Sequence, residues 1–298
     1  MKKILLATAA LSAMTGYAAA EVAVTGSARM GLVYDSKSGD TLFSSRVRVK
    51  FEMMGTTDGG LEFGAAVRAD QFGGNGKTDS AGDDFGGSNT ENGDSTVYIK
   101  GAFGKLTMGD VGGAPDALVG QVSGVGYGPN DSLQEIGYLG TDKTAVYYEY
   151  SSGALTFGVG AGQTNGANEN YNVAVKYSTD TFSVALGYED SASDTQISAG
   201  ASATFGAATL KARIADRDSL DTAFAVSIDY VSGATTFTGF YADFGQEGIL
   251  PGNDTEHLGI GVAYDLGGQA AVKAGIVRQM NDVADDETFA DVGITMSF

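Results

Sequence analysis

The chain has 298 residues, with 45 glycines against 3 prolines, no cysteine or tryptophan, a single histidine, and 37 acidic against 18 basic residues for a formal net charge of −19. Without cysteine there is no disulfide framework, zinc–thiolate site or thiol nucleophile, and the acidic excess argues against a nucleic-acid partner, because phosphate binding needs a basic surface. A hydrophobic share of 43% sets the chain apart from a disordered acidic tail and from a bundle of membrane helices.

Residues 1–20 read as a secretory signal peptide: Lys2 and Lys3 form a positive start, Ile4 to Met14 an apolar stretch, and Ala18, Ala19 and Ala20 the small residues before a cleavage point at Glu21. Its removal leaves 278 residues, 21–298, and takes the net charge to −21. Beyond it no run of 18 apolar residues occurs, so no membrane-spanning helix is expected.

From Glu21 onward the dominant signal is alternation. Val47, Val49 and Phe51 interleave with Arg46, Arg48, Lys50 and Glu52, which puts apolar and charged side chains on opposite faces of one strand. The same period recurs at Leu61 to Arg68, Asn172 to Tyr177 and Leu210 to Ile214. Seven tight turns are expected at Thr57-Asp58-Gly59, Phe103-Gly104, Ser152-Gly153, Thr179-Asp180, Phe205-Gly206, Ser232-Gly233 and Gly267-Gly268. Eight longer polar connections are expected near 35–40, 73–94, 111–143, 164–170, 190–194, 217–221, 245–256 and 280–285. These join sixteen strands, an even number with both ends on the short-turn side, as a closed antiparallel transmembrane barrel of one domain requires. A soluble sandwich also alternates, but its apolar faces enclose a core. In a barrel the apolar face meets lipid, and glycine and charge line water. Phe and Tyr then form two interface girdles: Tyr34, Phe43, Phe72, Tyr188 and Tyr241 on the loop side, and Phe51, Phe63, Phe103, Phe157, Phe182, Phe205 and Phe237 on the turn side.

The last strand, Phe289 to Phe298, alternates and ends on an aromatic residue. Ser44-Ser45-Arg46-Val47-Arg48-Val49 with Phe51, Met54 to Ala65, Gly101 to Lys105 and Met108-Gly109-Asp110 resemble the general diffusion porins of photosynthetic and related alphaproteobacteria, and Tyr264 to Gly268 adds a matching turn. The resemblance implies a sixteen-stranded barrel in the bacterial outer membrane, a homotrimer whose third loop folds inward, and passive diffusion of ions and small hydrophilic solutes. It also implies a second loop that latches onto a neighbouring subunit.

The residues point to a channel constriction on their own terms. The stretch from Val111 to Lys143 lacks clear periodicity, and such segments are usually functional. Its Leu118, Val119, Val122, Val125 and Tyr127 are too apolar to hang in water, so it is expected to fold against a wall, projecting the acids Asp110, Asp116, Asp131 and Glu135 into the lumen. Counting from the turns puts Arg29, Arg48 and Arg68 at similar heights on three consecutive strands, with Arg46 and Lys50 one step above and below. In lipid each charge would cost roughly 2–4 kcal/mol at the midplane, so this basic wall faces water, opposite the acidic loop. Opposed charges across a water-filled constriction orient polar solutes.

The remaining acid crowns the loops: Asp79, Asp83, Asp84, Glu91, Asp94, Glu247, Asp254, Asp282, Asp285, Asp286 and Glu287. Weak cation selectivity is therefore expected. These clusters could hold Ca²⁺ through oxygen ligands, yet no EF-hand pattern occurs and solvated acids are the simpler reading; no cofactor is expected. Two alternatives are a substrate-specific channel with a saturable site and a barrel hydrolase. The latter finds little support, since the lone His257, read as a surface residue at a loop edge, has only Asp254 and Glu256 as near acidic neighbours in sequence.

Overall fold

The computed structural model describes residues 21–73, 77–78, 84–85, 89–128, 130–140, 145–162, 169–245 and 254–298. The signal-peptide reading of residues 1–20 lies outside them, as do the loop acids Asp79, Asp83 and Glu247 and the end of the long segment at Lys143. The strands are β1 (Glu21–Asp35), β2 (Asp40–Thr56), β3 (Glu62–Gly73), β4 (Lys77–Thr78), β5 (Asp84–Phe85), β6 (Asn89–Gly101), β7 (Gly104–Gly109), β8 (Ala145–Ser152) and β9 (Leu155–Ala161). They continue with β10 (Asn170–Ser178), β11 (Phe182–Ser191), β12 (Thr195–Phe205), β13 (Ala208–Arg217), β14 (Ala223–Ser232), β15 (Thr235–Asp243), β16 (Thr255–Gly267), β17 (Ala270–Asn281) and β18 (Glu287–Ser297). Sixteen of them close an antiparallel barrel in sequence order, and β4 and β5 pair separately inside the second connection. The sequence predicts loop over the whole of 73–94; in the structure β6 already begins at Asn89.

All seven short turns fall between paired strands. Gly206 and Gly233 sit at φ +61° and +62°, a left-handed conformation that a tight hairpin demands and that costs glycine nothing. The glycine-free turn is held differently: the Thr179 hydroxyl oxygen accepts the Phe182 amide at 3.1 Å, a side chain doing what a backbone carbonyl would otherwise do. The barrel closes where the chain ends, with Gly26 N donating to Phe298 O at 3.1 Å and Phe298 N to Gly26 O at 2.8 Å.

Burial is inverted relative to a soluble protein. Leu186, Ile197 and Ile260 are each about 60% exposed on the outer face, a continuous apolar surface that water would not tolerate and a hydrocarbon layer suits. Buried polar residues, among them Arg29, Asp70, Glu189, Gln196 and Arg213, occupy the other face. The one sizeable apolar core among the described residues also lies there: Val122, Val125, Leu133 and Ile136 of the long segment pack on Ala215, Ala223, Ala225, Phe240, Ala242, Val277 and Phe289 of the wall. His257, expected at the surface, is instead a buried residue of β16, because Leu133 covers it and its carbonyl bonds the ring Nδ1.

Candidate functional site

The segment after β7 begins with α1 (Ala114–Leu118), a single turn with proline in its first turn and Gly113 at its N-cap. Gly113 has no side chain to cap the helix, so the wall supplies one: Asn172 Oδ1 of β10 accepts the Ala114 amide at 2.6 Å. Beneath α1, Ala114 and Leu118 pack on Ala174, with Tyr147 at the edge.

Further along, glycines carve the seat. Gly31 of β1 and Gly293 of β18 stand opposite each other in register, and a Cβ on either would lie 2.9 or 2.7 Å from the Tyr127 ring. Gly261 and Gly275 form a second opposed pair, under Val125 and Gly126. Polar wall residues then satisfy the segment's backbone, as buried peptide groups require. Ser227 Oγ accepts the Ser123 amide at 3.0 Å, and both Asp291 oxygens accept the Tyr127 amide at 3.3 Å. Ser123 Oγ donates to Asp229 Oδ2 at 2.6 Å and accepts from Lys211 Nζ at 2.8 Å.

Arg213 of β13 pins both legs of the segment at once. Its guanidinium donates to Gln121 Oε1 on the outgoing leg and to the carbonyls of Ile136 and Gly137 on the returning one, and it stacks 3.8 Å from the centre of the Tyr138 ring. Gln121 ties the legs directly, donating from Nε2 to Ile136 O at 2.9 Å and accepting the Ile136 amide at 3.2 Å. Glu189 and Gln196, next along the wall, bind the Leu139 amide and the Gly137 carbonyl.

With one side of the segment so engaged, its acids occupy the other. Asp116, Asp131 and Glu135 are exposed, while Asn130, Leu133, Gln134 and Ile136 around them are buried. Partial burial raises the Glu135 carboxyl above its ordinary range, and the neighbouring charges of Asp131 and Asp116 raise it further against the pull of Arg213. Partial loss of hydration against the packed loop raises Asp116 likewise, again opposed by Arg213. These three carboxylates share one electrostatic neighbourhood. Asp110 stands apart at the end of β7, where its Oδ2 accepts the Ser95 amide at 2.8 Å and braces the strand end.

The five basic residues lie on β1, β2 and β3, with a register different from the expected one. Arg29 is level with Arg46, Arg48 with Asp70, and Lys50 with Arg68. The β2–β3 turn spans Thr57–Leu61, two residues more than the Thr57-Asp58-Gly59 signal, and turn length sets the register of a hairpin. Arg29 is buried against Gly128 of the long segment. Lys50 Nζ lies 2.7 Å from Glu52, and Arg48 Nε and Arg68 Nε both reach Asp70, at 2.7 and 2.9 Å. Asp70, Arg213, Asn172 and Asp291 are functional positions that sequence reasoning missed. Wall apolars at polar-face positions, Phe240, Val277 and Phe289, were a usable signal that something covers that wall. Among the described residues no group of three or more His, Cys, Asp or Glu is placed to hold a metal ion.

Residues 7–284 match the family model of the Gram-negative porins. A porin of Rhodobacter capsulatus is 35% identical over 93% of this chain and the whole of the relative. A porin structure refined at 1.8 Å resolution shares 31% identity at a TM-score of 0.72, and a substituted variant of Rh. blastica porin shares 22% at 0.76; each spans 93% of this chain and all of the other.

Proposed function

Because this chain belongs to the Gram-negative porin family, and so is an outer-membrane channel for passive diffusion, we propose that its conducting path is narrowed by the clamped third loop and runs between that loop and the β1–β3 wall. The carrying observation is the division of the loop into a buried side and an exposed side bearing Asp116, Asp131 and Glu135. Arg46, Arg48, Lys50 and Arg68 supply the facing cations, and together they set a transverse field that orders polar solutes without a tight site. The acidic excess of the whole chain makes the channel weakly cation-selective. The family resemblance supports a homotrimer embedded in outer-membrane lipid, exported by a signal peptide over residues 1–20.

The test is planar-bilayer recording of wild type against Arg48→Glu in a potassium chloride gradient. The substitution is expected to move the reversal potential toward stronger cation preference. An unchanged potential would remove Arg48 from the constriction, a wild-type preference for chloride would overturn the selectivity, and conductance that saturates with salt would favour a substrate-specific site.

A further inference from the structure

The basic wall is not a row of independent cations. Asp70 is 3% exposed in its side chain, whereas Arg48 and Arg68, the two groups it binds, are 30% and 29% exposed. The carboxylate therefore sits beneath the guanidinia, with one oxygen spent on each: Oδ2 on Arg48 Nε at 2.7 Å and Oδ1 on Arg68 Nε at 2.9 Å. The backbone makes this possible in two ways. Arg48 is the cross-strand partner of Asp70 in the β2–β3 ladder, and Arg68 precedes Asp70 by two on the same face of β3. Across that same stretch the β3–β6 ladder slips between Val67 and Ala69, a local irregularity of the kind that re-aims side chains.

Two consequences follow from chemistry. A charge-assisted bond at Nε fixes the orientation of a planar guanidinium, so Asp70 holds two otherwise flexible side chains at set positions beside the lumen. It also cancels one of their two charges, so the Arg48–Asp70–Arg68 triplet presents one net positive charge to a passing ion. Lys50 follows the same plan at a looser level, paired to a half-exposed Glu52.

We propose that Asp70 is a positioning residue that sets the ion preference of this channel by holding Arg48 and Arg68 in place and halving their combined charge. This rests on the β1–β3 wall lining the conducting path. The acids of the third loop repel anions from one side; Asp70 limits how strongly the opposite wall attracts them. Loss of its charge, with both arginines retained, should make the channel more anion-permeable.

The test measures reversal potentials in a potassium chloride gradient for wild type, Asp70→Asn, Asp70→Glu, Arg48→Gln/Arg68→Gln and the triple variant combining Asp70→Asn with both. Asp70→Asn should lower the potassium-to-chloride permeability ratio on the order of twofold, the effect of one screened unit charge about a Debye length from the ion. In the triple variant, relative to Arg48→Gln/Arg68→Gln, the same Asp70→Asn step should give a distinctly different shift, because residues that act through one another are not additive. Equal shifts in the two backgrounds would make Asp70 a lumen charge in its own right and overturn the positioning role. No shift from Asp70→Asn, alongside a shift from Arg48→Glu, would overturn the proposal and leave the path intact; no shift from either would remove the path reading itself. If Asp70→Asn fails to assemble, Asp70→Glu decides: it keeps the charge and moves the carboxylate by one methylene, so an altered ratio supports positioning and an unaltered one overturns it.

Discussion

Arg213→Ala is the sharpest test of how the third loop is held. The guanidinium is buried and bonds Gln121 Oε1, Ile136 O and Gly137 O while lying 3.8 Å over the Tyr138 ring. Charged hydrogen bonds contribute roughly 1.5–3 kcal/mol each, with the Gly137 bond, at 3.3 Å, at the low end; ring stacking adds about 1 kcal/mol. Part of that sum is recovered in the variant, because the freed oxygens can meet lumen water and the Gln121–Ile136 bridge persists. The net loss is about 3 kcal/mol, or on the order of a hundredfold in the balance between seated and loosened loop. The barrel ladder does not pass through this side chain, so assembly and thermal stability should change little. Single-channel recording should show a noisier current and altered mean conductance, with Arg213→Lys intermediate because it keeps the charge and loses the fork. A quiet current at wild-type conductance in Arg213→Ala would refute the clamp.

Gly293→Val should push Tyr127 out of its recess and crowd the Met30 carbonyl, 2.6 Å from the added Cβ, at a cost of about 1–3 kcal/mol, and change conductance, with Tyr127→Ala in the same chain relieving only the ring's share; wild-type current in Gly293→Val alone would contradict the recess. Acidification tests the loop carboxylates. Asp116 and Glu135 have carboxyls raised by partial desolvation, so they take up protons at higher pH than ordinary carboxylates, and cation preference should begin to fall while pH is still above about 4. The sign for stability runs opposite to that of a salt-bridged acid: a raised folded pKa penalises the ionised form, so protonation relieves the fold and the loop stays seated as selectivity fades. Reversal potentials taken between about pH 7 and 4 check this, and a preference constant down to the acid end of that range would refute it.

The barrel was legible in the sequence because its determinants are local. Alternation at period two and turn chemistry act over two to four residues, so Val47 against Arg48, or Thr179 closing its own turn, can be read without knowing any neighbour. The acids of the third loop were legible in part for the same reason. Asp116, Asp131 and Glu135 lie in a segment too apolar to be free, while Asp110, close to them in sequence, is drawn back to Ser95 by the end of the β6–β7 ladder.

Whatever depends on register was beyond reach. Arg48 meets Asp70 only because the β2–β3 turn is two residues longer than its Thr57-Asp58-Gly59 signal, and Arg213 meets Gln121, 92 residues away, through the path of the third loop, which no local pattern encodes. Counting from the turns set Arg29 level with Arg48, whereas its cross-strand partner is Arg46, one step along the same face of β2. Yet the wall carries its own record of the loop. A lumen-facing position in an open pore has no cause to be Phe240, Val277 or Phe289, nor to leave room at Gly31, Gly261, Gly275 and Gly293. Breaks in the polar face and glycines on it are two halves of one requirement: the apolar side of a long segment needs an apolar seat, and a close-lying backbone needs the space of missing side chains. Among the described glycines, Gly206 and Gly233 serve the barrel's turns, while Gly31, Gly261, Gly275 and Gly293 give the third loop its room.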